Sequence, residues 1–62
     1  MMKLAFYADR LQHHASMAIY YLENSRTYDD GCHRDYALDH FVVEAMEAWH
    51  YARLLEVVEG ER

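Results

Sequence analysis

The chain has no proline, two glycines and a single cysteine among its 62 residues. Without proline, and with glycine confined to Gly31 and Gly60, the strongest breakers fall once in mid-chain and once near the end. One cysteine excludes an intrachain disulfide and the zinc patterns built on several cysteines. Long apolar runs are missing as well: the uncharged stretch from Gln12 to Leu22 is about half a membrane span and holds two histidines. Residues 1–22 make a poor signal peptide, because Asp9 and Arg10 interrupt any apolar core. Glycine-rich phosphate loops, nucleophile elbows and zinc-protease helices are also lacking. What these absences leave is one small cytoplasmic domain over residues 1–62, with no membrane segment and no catalytic machinery.

Positive charge is scarce. Six basic side chains stand against eleven acidic ones, for a formal charge of −5. Residues 1–22 carry Lys3 and Arg10 against Asp9, whereas residues 23–62 carry ten acids against Arg26, Arg34, Arg53 and Arg62. Direct nucleic-acid binding needs a cationic footprint, and none is visible. An acidic body repels nucleic acid and can compete for the basic surfaces that hold it. Solubility alone is the plain alternative, since a net charge of about 2–8 is ordinary for a small domain.

Apolar residues are plentiful, at 53% of the chain with 15% aromatic, which is too apolar for a disordered tail. Their spacing is helical. Leu4, Ala8, Leu11, Ala15, Ala18 and Leu22 alternate steps of four and three, and Leu38, Phe41, Ala45, Ala48, Ala52 and Leu55 do so again in the second half. The pattern predicts helices over about 3–24 and 31–58, joined by a turn over about 25–30. Asp30 is the expected N-cap of the second helix, with Thr27 as the alternative if that helix starts earlier. A short connection forces the two helices antiparallel, so residues whose numbers sum to about 60 should face each other. Ala8 then meets Ala52, Ala15 meets Ala45, Leu4 meets Leu55 and Leu22 meets Leu38.

Such a hairpin buries one stripe per helix, and the sequence offers more. Val42, Val43, Met46, Trp49, Leu54, Val57 and Val58 cannot all share the second stripe, nor Phe6, Tyr7, Met17, Ile19, Tyr20 and Tyr21 the first. Each such side chain left wet forgoes roughly 1.5–3 kcal/mol of burial. The expected fold is therefore all-α, an antiparallel two-helix hairpin pairing as a homodimeric four-helix bundle.

Two groups of residues could carry function. Near the turn, Tyr20, Tyr28 and Tyr36 with Arg26 and Arg34 have the amphipathic, aromatic character that protein interfaces favour. Asp29, Asp30, Asp35, Asp39, Glu44 and Glu47 could form a row of carboxylates that imitates a phosphate backbone. Together they suggest a non-enzymatic interaction module, an inhibitor or regulator that occupies the surface of another protein, for instance a nucleic-acid-binding protein with a basic face. Chains this short, acidic and free of motifs are frequent among phage and mobile-element inhibitors, anti-CRISPR proteins included.

The alternative is a metal centre. Glu47-x-x-His50 places a carboxylate and an imidazole on one helical face, with Asp9 and His13 across the hairpin by the summing rule. Over the four residues Glu47–His50 the chain resembles the ferritin-like di-iron motif, which implies iron; with Asp9 and His13 nearby, Glu47, His50, Asp9 and His13 would hold iron or zinc across a dimer. It departs from that family in having no glutamate opposite Glu47, where Asp9 would have to substitute. Without such a site no cofactor is expected. Cys32 and His33 adjoin the start of the second helix, but a hairpin gives them no pocket.

Overall fold

In the computed structural model, which describes residues 2–60, the chain forms two α-helices, α1 (Met2–Thr27) and α2 (Gly31–Gly60). They pack along their lengths as a hairpin, a rod 48 Å long and 13 by 11 Å across between Cα atoms. Among the described residues no helix is long and apolar enough to cross a membrane.

The reversal is shorter than the polar composition of residues 25–30 suggests. The Ser25 hydroxyl donates to the Leu22 carbonyl at 2.6 Å and Thr27 to the Asn24 carbonyl at 2.8 Å. These bonds back to the preceding turn let the polar residues continue α1 instead of ending it. Thr27 is thus the last residue of α1 and caps nothing on α2. Only Tyr28, Asp29 and Asp30 lie between the helices, and no described residue has a positive φ. Gly31 consequently serves as the first residue of α2, without using its special backbone freedom.

Asp30 is the N-cap. Its carboxylate accepts from the backbone N–H of Cys32 at 2.9 Å and pairs with the His33 ring at 2.8 Å, while its carbonyl accepts from the N–H of Arg34 at 3.0 Å. The bond from the Cys32 amide, then that from His33, with the charges of His33 and Arg34 behind them, hold the Asp30 carboxyl below its ordinary 3.8. A lowered folded-state value means that the cap stabilises the protein above the ordinary carboxyl range, and that this support fades as pH falls through the folded value. Thermal melts followed by circular dichroism between pH 2 and 6 should therefore show Asp30→Ala melting below the native chain at pH 6. The two curves should converge below pH 3.8.

The turn is centred on Asp29, and the helices meet close to the expected register, with facing residue numbers summing to 58 at His14 and Glu44 and to 61 where the Tyr21 ring stacks on His40. The Tyr7 ring lies 6.1 Å from that of Tyr51. The seam, however, is rotated. Leu4, Tyr7, Leu11, His14, Ala18, Tyr21 and Ser25 face inward on α1, and Ala37, Phe41, Glu44, Ala48, Tyr51, Leu55 and Val58 on α2. Ala8, Ala52 and Leu38 are exposed, so the expected contacts of Ala8 with Ala52 and of Leu22 with Leu38 are replaced. On the observed register Ala18 stands opposite Phe41 and Ala48 opposite Leu11, each small residue against a large one. Tyrosine and histidine suit this thin seam because their rings pack while their polar tips reach water.

The hairpin alone has almost no core. Only Ala18, Ser25 and Ala37 are buried among the described residues, and no large side chain is fully enclosed.

Candidate interaction surfaces

Most of the apolar surface points outward. On α2, Leu38, Val42, Val43, Met46, Trp49 and Val57 are all exposed, with Trp49 at 66% and Met46 at 65%. Phe41, Val42, Ala45, Met46, Trp49 and Tyr51 line an open groove of about 650 Å³ along this helix, with Glu47 and His50 at its edge. The Arg53 guanidinium lies over the Trp49 ring at 5.7 Å and reaches Glu56 at 3.5 Å. Of these side chains, Val42, Val43, Met46, Trp49 and Val57 belong to the surplus that the sequence shows beyond one stripe. The signal was present: Leu38, Val42, Ala45, Trp49 and Ala52 repeat the four–three step one position round from the inner stripe.

A second surface surrounds the turn. Tyr20, Tyr28 and Tyr36 are exposed, as expected, and each rests on a neighbouring ring. Tyr20 lies 5.3 Å from Tyr21, Tyr28 5.4 Å from His33, and Tyr36 4.4 Å from His40. Arg26 and Arg34 are exposed beside them, and the Arg34 guanidinium donates to the Tyr28 carbonyl at 3.4 Å. These tilted and edge-on ring contacts restrict the tyrosine side chains at the surface.

The row of carboxylates is broken. Asp29, Asp35, Asp39 and Glu47 are exposed, and Asp30, though exposed, is committed to capping α2. Glu44 is turned into the seam, where its Oε1 meets His14 Nδ1 at 2.6 Å and the two side chains keep only 20% and 18% of their exposure. The His14 ring stacks on Tyr51 at 5.7 Å and 7°, and meets His13 edge-on at 5.1 Å. Glu44 therefore faces α1 and not a partner, and His14 is a seam residue. The physical reason is the rotated seam, which brings position 44 inward and leaves Ala52 outside.

The candidate metal residues Asp9, His13, Glu47 and His50 are all exposed. Among the described residues no group of three or more histidine, cysteine, aspartate or glutamate side chains is gathered so as to hold a metal ion. Glu44, the carboxylate one turn from Glu47, already serves His14. Cys32 is exposed at the turn end of α2.

No known protein family matches the chain, and no curated protein or solved structure shows significant similarity to it.

Proposed function

We propose that the chain is a non-catalytic interaction module, an acidic helical hairpin that pairs with a second hairpin as a four-helix bundle and acts by occupying a partner's surface. One observation carries the reading. The residues with most to gain from burial, Trp49, Met46 and Tyr36 among them, are more than 60% exposed, while the hairpin's own buried apolar residues are two alanines. Contiguous apolar surface of this kind marks sites of association.

The turn end is the surface left for a heterologous partner, as an inhibitor or regulator would use it. Its exposed tyrosines favour docking into an apolar groove over imitation of a phosphate backbone, because two of the six carboxylates of the proposed row are engaged elsewhere. The test is affinity capture with mass spectrometry at two salt concentrations. The native chain is compared with a Tyr28→Ala, Tyr36→Ala double variant and with an Asp29→Arg, Asp35→Arg double variant. Aromatic docking is expected to survive high salt and to fail in the tyrosine variant. Loss with charge reversal, together with steep salt sensitivity, would instead identify a cationic partner bound by the acids. Capture unaffected by either variant would remove the turn end from the interaction.

A further inference from the structure

Resting on that reading, we infer that the outer face of α2 is covered by the same face of a second copy, the two α2 helices running antiparallel across a two-fold axis between Ala45 and Met46. The spacing supports this first. Leu38, Val42, Ala45, Trp49 and Ala52 form a second four–three stripe beside the inner one, and a helix with two such stripes is suited to two neighbours, as in a square bundle.

The stripe is also complementary to itself. With the axis there, facing residues have numbers summing to about 91, as the isologous contact of a two-fold dimer requires. Leu38 then faces Ala52 of the second copy, and Val42 faces its Trp49. Ala45 and Met46 meet their counterparts at the centre, where the alanines let the backbones approach. Leu38 thus meets a small residue, while Val42 and Trp49 supply the large apolar contacts on either side of the centre.

Charge follows the same register. Asp39 falls opposite Arg53 of the second copy, on the outer flank of the stripe where coiled coils place their pairing charges. Arg53 and its present partner Glu56 are 62% and 71% exposed, so the guanidinium can turn to a new carboxylate. At the ends the register sets Asp35 against Glu56, a like-charged pair in water beside that same arginine.

The exposed area agrees. The molecule presents 4951 Å², against about 4200 Å² for a compact monomer of 7.4 kDa. The excess of roughly 700–800 Å² belongs to a thin rod with its apolar side chains uncovered, and is comparable to the ~800 Å² that each partner loses in a standard interface.

Light scattering at micromolar concentration is expected to give twice 7.4 kDa. Trp49→Ala, which leaves the seam of the hairpin untouched, should weaken the dimer about thirtyfold while preserving the helical signal. Asp39→Arg should weaken it about two- to fivefold, and adding Arg53→Asp should restore it. In a Cys32→Ser background, Ala45→Cys should form a disulfide between copies under mild oxidation and Val57→Cys should not. A dimer cross-linked through Val57 but not Ala45 overturns the inference while leaving the module reading intact. A monomer at every concentration up to millimolar also overturns it. In that case, loss of captured partner in Trp49→Ala would show that the face serves another protein, and unchanged capture would count against the module reading of this face.

Discussion

Glu44→Leu alone should destabilise the protein, whereas Glu44→Leu together with His14→Leu should make it more stable than the native chain. The single change leaves the His14 ring, with 18% of its side chain exposed, without the carboxylate it meets at 2.6 Å. A hydrogen bond to a charged group contributes about 1.5–3 kcal/mol. The lower half of that range is expected here, because water still reaches a fifth of each side chain. Replacing both partners removes the cost of holding polar groups in a thin seam, and comparable replacements elsewhere gain about 1–4 kcal/mol. Urea midpoints of the native chain, both single variants and the double variant, at one protein concentration, give the cycle directly. A double variant weaker than either single one would show that the pair holds the seam. Otherwise its role is specification: Glu44 and His14 satisfy each other only when the numbers sum to 58, so a slipped hairpin would bury both unpaired.

Ala37→Leu is the second large effect. Ala37 is 2% exposed on the inner face of α2, so three added carbons have no space unless the helices part. Overpacking of this kind costs about 1–3 kcal/mol. Ala8→Leu, at an exposed alanine of the stripe read from the sequence, should change stability by less than about 0.5 kcal/mol. Thermal melts of the two variants locate the seam. If Ala8→Leu proved the more damaging, the inner face would be the alanine-lined one.

The comparison of these alanines shows how far the sequence could be read. Two helices, one reversal and the Asp30 cap were legible because each rests on local chemistry: helical spacing, a polar connection, a carboxylate before free amides. The choice of seam was not. Both helices carry more than one four–three stripe, and the purely apolar stripe was the natural one to prefer. The structure instead buries tyrosine rings, a histidine and a glutamate, residues that composition alone assigns to the surface. The seam is rotated from the apolar stripe onto these residues, which no periodicity reveals. The outer face of α2 was visible only as a surplus of large side chains. The tyrosines near the turn were picked out by residue type, and the structure leaves Tyr20, Tyr28 and Tyr36 exposed.

The fully sheltered residues Ala18, Ser25 and Ala37 all sit in the half of the rod next to the reversal, whereas Leu4, Leu54 and Val58 at the other end are only partly covered. Local unfolding begins where few apolar contacts must be broken. The hairpin thus splays like a pair of tweezers, its free tips parting first, and the bend between the helices is the last place to loosen.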